Sequence, residues 1–410
     1  MPSKLNELSE PFEIEIEKMV YGGEGLGRRE GQVILTPFVL SGETARAAPE
    51  RAQSNVLRAR LLEVLTASPD RVSAPCVYFG KCGGCHYQHA TYERQLQVKR
   101  AILIETLQRV GKIAPPETFD VVSAEPWGYR NRVQLHVQDR KIGYVQARSH
   151  KLCAIDHCPI GSPAINTGIQ TLTRMIRDRR WPKFIGALEL FTNETEMQLN
   201  VLETAQPVAR RFFEWCAEEI PALVPGALEY GEYRVSRGSF FQVNRFLLQQ
   251  MIDVSLPALS PGAEGKTALD LYAGVGLFSL PLARRFAQVT AVESGSGAVR
   301  DLQFNAERAG VAVHAETSSV DAYLSNLESA PDFVLADPPR AGLGKHVVAR
   351  LAQLKPREIT VVACDPATLA RDLAALITAG YDFEQLTLID LFPQTFHIEA
   401  IAKLRLPGAA

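Results

Sequence analysis

The chain has 410 residues, which is too long for one ordinary hydrophobic core and predicts two or three domains. Hydrophobic residues make up 46% and charged residues 22%, which excludes a disordered or fibrous protein and is typical of a globular one. No apolar run of about 18 residues occurs and the first ten residues are polar, so we expect no membrane span and no signal peptide. The composition predicts a cytoplasmic protein without a membrane partner, and we expect it to act as a monomer.

Basic residues are unevenly distributed, although the formal net charge is only −2. Residues 69–115 carry seven Lys or Arg against three acidic residues, and residues 127–152 carry six against one. A third basic cluster lies at 174–183. Such patches can displace counterions from a phosphate backbone even on a neutral protein, which favours a nucleic-acid partner. A solvated surface with clustered charges is the alternative.

The N-terminal segment has the pattern of short strands separated by turns. Residues 12–16 alternate apolar and polar side chains, a glycine-rich turn follows at 22–27, and residues 56–62 again have a period of two. About five short strands predict a small OB-like β-barrel over residues 1–68, an architecture that often binds nucleic acid. Eight basic against ten acidic residues predict a weak electrostatic grip there.

Cysteines cluster in the next segment. Cys76, Cys82 and Cys85 lie on a glycine-rich loop, and Cys158 lies downstream. Four thiolates of this kind can enclose a [4Fe–4S] cluster, either as a structural staple or as a redox sensor. A zinc site is the alternative, but zinc usually takes two short Cys-x2–4-Cys pairs and only one is present. Cys153 is the alternative fourth ligand.

A helical pattern and a strand-rich segment follow the cysteine loop. Residues 92–112 carry apolar side chains at helical spacing and end near a glycine, which predicts a helix that can pack on the C-terminal domain. Strands then dominate, so we expect an α+β central domain over residues 69–235. The nearby residues Trp127, Tyr129, Arg130 and Arg132 mix aromatic and basic groups, which suits contact with unpaired RNA bases and phosphates. An ordinary strand edge is the alternative.

Residues 236–410 alternate strands and helices, which predicts a doubly wound, Rossmann-like α/β domain. One apolar strand runs into a turn at Gly274, where the backbone can approach a ligand closely. A second ends at Glu293, a position suited to ribose hydroxyls, and a third delivers Asp337 to the same edge. Ser279 replaces the third glycine of a dinucleotide fingerprint. A ligand with a ribose but no pyrophosphate fits, and S-adenosylmethionine (SAM) is the common one.

A cysteine ends the next buried strand. Cys364 is expected at the same sheet edge as Asp337, with a helix N-terminus behind it that could favour a thiolate. Carbon 5 of uracil is a poor nucleophile, but a thiolate that adds to carbon 6 gives carbon 5 the electron density to attack a methyl sulfonium. A base must then remove the carbon 5 proton. Glu399 is our candidate for that base, and His397 is the alternative.

These residues resemble the SAM-dependent RNA uracil-5-methyltransferases that act on ribosomal or transfer RNA. The motifs that carry the resemblance are the glycine turn, Asp-Pro-Pro-Arg at 337–340, Cys-Asp-Pro-Ala-Thr-Leu-Ala-Arg-Asp at 364–372 and His-x-Glu at 397–399. The resemblance covers nearly the whole chain. It implies that Cys364 is the nucleophile and Glu399 the base.

The resemblance also implies a cofactor site, a cluster and an N-terminal module. The residues that match the family's SAM contacts are Gln242, Tyr272, Glu293 and Asp337. Members with the four cysteines Cys76, Cys82, Cys85 and Cys158 carry a [4Fe–4S] cluster, and residues 11–66 are similar to the TRAM domain of many members.

The sequence departs from the family pattern at two places. Ala363-Cys364-Asp365 stands where Ser-Cys-Asn is usual, so local hydrogen bonding to the base is expected to differ. Glu50, Gln53 and Asn55 lie in a stretch where members often carry lysines, which weakens the case for an RNA-gripping barrel.

The resulting hypothesis is an RNA (uracil-5-)-methyltransferase whose target base leaves its stack to reach the pocket. The cluster and barrel together resemble the ribosomal group, so 23S ribosomal RNA is preferred over transfer RNA. The alternatives are a non-catalytic RNA-binding or folding factor, an iron–sulfur redox protein and a cytosine-5-methyltransferase. The presence of Cys364 and Glu399 argues against the first, and the absence of a second strand-end cysteine argues against the last.

Overall fold

The computed structural model describes residues 10–53, 55–257 and 266–408. The chain divides into two compact units. The first unit comprises Met1–Ile102, Tyr144–Cys153 and Phe392–His397, and the second comprises Leu103–Gly143, Ala154–Leu391 and Ile398–Ala410. No helix among the described residues is long and apolar enough to cross a membrane. The division into three independently folding domains, at 1–68, 69–235 and 236–410, stays a prediction.

The first unit begins with a six-stranded sheet. Its strands are β1 (Phe12–Glu15), β2 (Lys18–Val20), β3 (Glu24–Arg29), β4 (Gln32–Pro37), β5 (Thr44–Gln53) and β6 (Val56–Thr66). They lie in the order β1-β5-β6-β4-β3-β2, and β4 and β6 are parallel while the other neighbours are antiparallel. Because side chains alternate across a strand, Phe12, Ile14, Ile34, Ala45 and Leu57 share one core. The alternation in the sequence thus produces a sheet with one buried face.

The middle of the chain contains helices and short strands. Their bounds are α1 (Tyr92–Thr106), β7 (Thr118–Val122), β8 (Arg132–Gln138), β9 (Lys141–Val145), β10 (Leu152–Ala154), α2 (Pro163–Met175), β11 (Ile185–Thr192), β12 (Met197–Thr204), α3 (Arg210–Glu219), β13 (Leu228–Tyr230) and β14 (Tyr233–Val235). A π-helical turn at Leu107–Gly111 continues α1. Strands β9, β8, β11 and β12 pair antiparallel in that order, and β13 and β14 form a hairpin.

The C-terminal part alternates strands and helices, as the sequence predicted. Its elements are α4 (Leu248–Ser255), β15 (Thr267–Leu271), α5 (Ser279–Ala283), β16 (Gln288–Glu293), α6 (Ser296–Ala309), β17 (His314–Thr317), α7 (Val320–Asn326), β18 (Phe333–Ala336), α8 (Gly344–Leu354), β19 (Glu358–Ala363), α9 (Pro366–Thr378), β20 (Asp382–Ile389) and β21 (Glu399–Arg405). The strands form an eight-stranded sheet in the order β17-β16-β15-β18-β19-β21-β20-β7.

This sheet differs from the expected parallel one in two respects. Strand β21 runs antiparallel to both β19 and β20, because the short connection at 390–398 cannot make the crossover that a parallel pair needs. Strand β7, which the sequence boundaries placed in the central domain, pairs in parallel with β20 and forms one edge of the sheet. The π-helical turn at Leu107–Gly111 packs on α9, where a side chain in place of Gly111 would lie 2.7 Å from the carbonyl oxygen of Ala370.

Candidate active site

The functional side chains predicted from the sequence collect at the carboxyl edge of the large sheet. Strands β15, β16, β18 and β19 are parallel neighbours, so their carboxyl ends meet at one edge. The residues at or directly after those ends are Tyr272, Glu293, Asp337 and Cys364. The antiparallel strand β21 begins at this same edge, and its first residue is Glu399.

Cys364 and Glu399 lie at facing positions of adjacent strands. The last pair in the register of β19 and β21 is Ala363 with Ala400, so the next position on each strand brings Cys364 beside Glu399. Facing residues of antiparallel strands have Cα atoms about 4.5–5.5 Å apart. Cys364 is half-buried, whereas Glu399 is only 5% exposed. The structure therefore places a thiol and a buried carboxyl side by side, as the hypothesis requires.

Burial and neighbouring charges set the protonation of this pair. Burial raises the pKa of Cys364 to about 11, with Glu399 and Asp337 acting in the same direction and Arg340 in the opposite one. Burial also raises the pKa of Glu399 well above its usual range; Asp337 adds to this and Arg340 again opposes it. The Cys364 thiol is therefore protonated near neutral pH in the ligand-free protein, and burial favours the protonated form of Glu399 as well. The expected thiolate at the start of a helix is wrong for this state.

The residue that follows the cysteine caps the next helix. Asp365 caps α9, and its Oδ1 accepts hydrogen bonds from the backbone N–H groups of Ala367 at 3.0 Å and Thr368 at 2.9 Å. These amides satisfy a carboxylate instead of the Cys364 sulfur. Asp365 thus fixes the start of α9, whereas altered hydrogen bonding to the target base stays a prediction.

The Asp-Pro-Pro-Arg loop is tied to the first turns of α9. The backbone N–H of Leu343 donates to Asp372 Oδ2 at 2.7 Å, and Arg371 donates to the carbonyl of Ala341 at 3.0 Å. Gly342 adopts φ +78°, and a Cβ there would lie 2.5 Å from the Asp372 carboxylate. The loop that carries Asp337 and the helix that follows Cys364 therefore hold one another in place.

The glycine turn after β15 is shaped for a ligand. Tyr272 and Gly274 have left-handed backbones, with φ of 64° and 55°. The N–H of Gly274 donates to Glu293 Oε2 at 3.1 Å, and the N–H of Gly295 donates to Glu293 Oε1 at 2.6 Å. A Cβ on Gly274 would meet no described atom within 4 Å, so this turn borders open space. Turn and carboxylate thus form one hydrogen-bonded unit, whereas the expected contact of Glu293 with ribose hydroxyls stays a prediction.

Two carboxyls beside this turn are suited to a cationic ligand. Asp270 is fully buried, and burial raises its pKa to about 7, with Asp337 and Glu293 adding to the effect. Its Oδ2 accepts from the hydroxyl of Ser279, whereas its Oδ1 has no partner within the described part of the chain. Burial raises the pKa of Asp337 to about 7 as well. A positively charged ligand would stabilise the ionised form of these carboxyls, and SAM, with its sulfonium and ammonium, carries such charges.

Gln242 is buried in the segment between β14 and α4. Two side chains of α6 hold the start of this segment: Asp301 accepts from the Ser236 N–H at 2.7 Å and from the Ser239 hydroxyl at 2.9 Å. The other, Asn305, accepts from the Arg234 N–H at 2.7 Å and donates to the carbonyl of Val275 in the glycine turn at 3.0 Å. Sequence reasoning missed both, because a polar residue in a helix gives no sign that it faces inward.

The cysteine loop has some of the chemistry of a metal site. Cys76, Cys82 and Cys85 are partly exposed, and the N–H of Gly84 is directed at Cys82 Sγ, 3.4 Å away. Cys158 is buried in the second unit, where Asn166 accepts from its N–H at 2.8 Å. Across the described residues, however, no three His, Cys, Asp or Glu side chains are arranged to hold a metal ion. The donors fit a cluster in kind, but the structure does not show an assembled site.

The expected RNA surface around residue 130 is wrong for two of its members. Tyr129 is fully buried, so it cannot stack on an RNA base. Arg132 is 9% exposed and donates to Glu189 Oε1 at 2.8 Å and to the carbonyl of Ser239 at 2.8 Å. A buried arginine held by a carboxylate organises the protein interior rather than binding phosphate. Trp127 and Arg130 remain partly exposed.

Related proteins match this chain over nearly its whole length. A family model described as tRNA (Uracil-5-)-methyltransferase matches residues 224–316 and 321–405. The 23S rRNA (uracil(1939)-C(5))-methyltransferase RlmD of Halomonas elongata is 33% identical, over 97% of this chain and 90% of that protein. An uncharacterized RNA methyltransferase of Aquifex aeolicus is 31% identical, over 96% of this chain and 98% of that protein.

A solved structure shows the same fold over nearly the whole chain. It is the Pyrococcus abyssi tRNA (uracil-54, C5)-methyltransferase in complex with S-adenosyl-L-homocysteine, with a TM-score of 0.72 and 26% identity. The likeness covers 96% of this chain and 100% of that one. The chain therefore belongs to the RNA (uracil-5-)-methyltransferase family, which confirms the resemblance in the sequence. It is an enzyme of the SAM-dependent class that methylates uracil in RNA.

Proposed function

We propose that this enzyme methylates carbon 5 of a uridine in 23S ribosomal RNA, with Cys364 as covalent nucleophile and Glu399 as base. The observation that carries the proposal is the facing placement of these two residues on β19 and β21. Asp337 and Arg340 complete the charged surroundings of both. A nucleophile and a base beside one flipped base are what carbon 5 methylation needs.

The proposed reaction proceeds in successive steps, and each proton that is released has an acceptor. The Cys364 proton leaves to solvent, and the positive charge of Arg340 favours the resulting thiolate. The sulfur forms a bond to carbon 6, and the electron pair of the carbon 5–carbon 6 double bond moves toward the carbon 4 oxygen. Burial favours the protonated form of Glu399, so its own proton must first leave to solvent. After carbon 5 has gained its methyl group, the resulting Glu399 carboxylate takes the carbon 5 proton. The freed electron pair restores the double bond as the carbon 6–sulfur bond breaks.

Five residues would hold SAM, which supplies the methyl group when its carbon–sulfur bond breaks. They are Gln242, Tyr272, Gly274, Glu293 and Asp337. Support comes from the open turn at Gly274. Further support comes from Asp270 and Asp337, because a nearby cation would stabilise the ionised form of these carboxyls, whose pKa values are raised by burial. Glu293 orders the turn while keeping further lone pairs for ribose hydroxyls.

Two surfaces of the second unit support an RNA partner. Arg140 donates to the backbone carbonyls of residues 177 and 178, which brings the tip of the β8–β9 hairpin to the basic turn after α2. The exposed basic side chains that gather there are Arg140, Lys141, Arg174, Arg177, Arg179, Arg180 and Lys183. Phe240 is 64% exposed and lies two residues before Gln242, so it can stack on an unpaired base.

The N-terminal sheet is part of the proposal as a TRAM-like RNA-binding barrel with a minor electrostatic role. Support comes from its six strands and single core. Its buried Glu24 pairs with Arg58 and Arg148, which leaves less free positive charge for phosphates. Deleting residues 1–68 should therefore weaken RNA binding modestly, by less than tenfold, in a filter-binding titration.

The cysteines belong to the proposal as ligands of a structural [4Fe–4S] cluster. Protein purified without oxygen should contain about four irons and four sulfides per chain, with a broad absorbance near 400 nm. Cys82→Ser should lose the iron, whereas Cys216→Ser, a buried helical cysteine, should keep it. Cys153→Ser distinguishes the alternative fourth ligand. Stoichiometric zinc without sulfide would contradict the cluster.

The experiment that tests the activity uses RNA tritiated at carbon 5 of uridine. Methylation at carbon 5 must release tritium to water, and the modified uridine must gain 14 daltons. The wild type should release tritium from 23S ribosomal RNA, and Cys364→Ala should release none. Release only from transfer RNA, as the name of the Pyrococcus abyssi enzyme would suggest, would identify transfer RNA as the substrate. Release from RNA tritiated at carbon 5 of cytidine would identify cytosine as the target base. Absence of release from all three would contradict the proposal.

A further inference from the structure

The loop that leads into Glu399 is held by residues far away in the sequence. Phe392–His397 ends two residues before Glu399, yet it belongs to the first unit together with the beginning of α1. Gln394 within the loop has φ +68°, a left-handed backbone that a glutamine rarely adopts. A strained backbone of this kind persists only where its surroundings hold it.

Gln95 of α1 provides most of that restraint. Its Nε2 donates to Gln394 Oε1 at 3.0 Å, and its Oε1 accepts from the Gln394 N–H at 2.9 Å. The second proton of Nε2 goes to the carbonyl of Ala90 at 3.1 Å. Gln95 and Gln394 are 1% and 2% exposed, so water cannot replace these bonds. The two glutamines thus form a reciprocal, fully buried pair.

Three further contacts act on the same loop. The Gln394 carbonyl accepts from the N–H groups of His86 at 2.8 Å and Tyr87 at 3.0 Å. Lys99, also fully buried, donates to the carbonyl of Phe392 at 2.9 Å. All of these donors belong to the first unit, and none is near Glu399 in sequence. The path of the backbone just before Glu399 is therefore fixed from α1 and from the residues that follow Cys85.

We propose that Gln95 is a positioning residue for the base: it fixes the loop so that the Glu399 carboxyl meets the carbon 5 proton. The proposal rests on the proposed function, in which Glu399 acts only after methyl transfer. Loss of Gln95 should therefore slow release of the product from Cys364 and leave addition of the sulfur to carbon 6 unchanged. A general defect in folding would slow both.

The test compares Gln95→Met with Gln97→Met, which lies on the same helix and is exposed. With ordinary uridine RNA and SAM, Gln95→Met should lower tritium release by about tenfold or more and accumulate a denaturation-resistant RNA–protein adduct. With 5-fluorouridine RNA, whose fluorine cannot leave as a proton, adduct formation needs no base and should stay within about twofold of wild type. Gln97→Met should match wild type in all three assays.

A double variant separates positioning from other effects. Adding Gln95→Met to Glu399→Gln should cause no further loss of tritium release, because the base is already gone. A further loss would overturn the proposal, as would equal losses in both RNA assays or wild-type behaviour of Gln95→Met. Should Gln95→Met fail to fold, Gln394→Met removes the same pair from the loop side and carries the same expectations. Failure of the proposed function is distinct, because wild type would then form no 5-fluorouridine adduct.

Discussion

Protonation of Cys364 is set by burial, Glu399 and Asp337, which raise its pKa, and by Arg340, which lowers it. The pKa of the thiol is raised to about 11, so the thiolate fraction at neutral pH is small and grows about tenfold per pH unit. Arg340 is the positive charge that opposes this rise. Most of the Cys364 side chain is therefore in the unreactive thiol form at neutral pH. Its reactivity depends on Arg340 of the Asp-Pro-Pro-Arg loop.

The first prediction concerns the pH dependence of adduct formation. With 5-fluorouridine RNA and saturating SAM, the single-turnover rate should rise about tenfold per unit between roughly pH 7 and pH 9. Arg340→Gln should raise the pKa of Cys364 further and slow the reaction by about tenfold at pH 7. Arg340→Lys keeps the charge and should recover most of the rate. A rate independent of pH in this range, with chemistry limiting, would contradict the raised pKa.

The second prediction concerns Asp270 and Asp337. Their folded-state pKa values of about 7 exceed the ordinary value near 4. Without a ligand, the contribution of these two carboxyls to the free energy of unfolding is therefore greatest below about pH 4. That stability is lost as the pH rises through about 7. SAM should therefore raise the Tm more at pH 8 than at pH 5.5, by several degrees.

Asp337→Asn provides the comparison for this effect, because it cannot ionise. Differential scanning fluorimetry with and without SAM should show a smaller pH dependence in the variant than in the wild type. S-adenosylhomocysteine, which lacks the sulfonium charge, should also show a smaller dependence. Equal Tm shifts at both pH values in wild type and variant would count against a cation-binding role.

The candidate residues could be assigned to one sheet edge from the sequence because they lie at the ends of apolar strands. An apolar strand that ends in Cys364 or Asp337 specifies a sheet edge without knowledge of the tertiary structure. Protonation could not be read in this way. It depends on the burial of Cys364 and Glu399 and on the charges of Asp337 and Arg340, and these follow from the packing of elements that are distant in the sequence.

At the scale of elements, side chains of α6 couple the glycine turn to the segment that carries Gln242. Asn305, which is fully buried, bonds to the glycine turn and to Arg234 in β14, directly before that segment. We predict that Asn305→Ala raises the dissociation constant of SAM by about tenfold and lowers the free energy of unfolding by about 1–3 kcal/mol. Asn326→Ala, at an exposed position of α7, should change neither value by much. Isothermal titration calorimetry gives the affinity, and unchanged SAM affinity in Asn305→Ala would exclude this coupling.

The basic surface at the end of α2 should contribute to RNA affinity through phosphates. Arg177→Gln with Arg179→Gln removes two exposed charges and should weaken binding uniformly across RNA sequences. The slope of log Kd against log salt should fall by about one to two. Arg300→Gln on α6, also exposed, serves as the matched control. An unchanged salt slope in the double variant would exclude this surface from the RNA interface.

Element types followed from periodicity, but the arrangement of the last strands did not. The short connection between β20 and β21 was visible in the sequence, yet only its length relative to a helical crossover indicates an antiparallel strand. That reversal is what brings Glu399 to the edge where Cys364 lies. Likewise, β7 has the composition of any short strand, and its partner β20 is more than 250 residues away in the chain.

At the scale of the whole molecule, segments far apart in sequence share one unit. The first unit combines the N-terminal sheet, the cysteine loop and the loop that precedes Glu399. No local pattern indicates that residues 392–397 belong with α1, because the link is a pair of buried glutamines. The family could be predicted from motifs alone, whereas this connection required the coordinates.

The central claim is that the Cys364 sulfur forms the bond to carbon 6 of the target uridine. Peptide mapping of the covalent complex with 5-fluorouridine RNA tests it most directly. After nuclease and protease digestion, we expect one modified peptide, in which the methylated fluorouridine nucleotide is attached to Cys364. Attachment to any other residue, or a normal yield of adduct from Cys364→Ala, would contradict it.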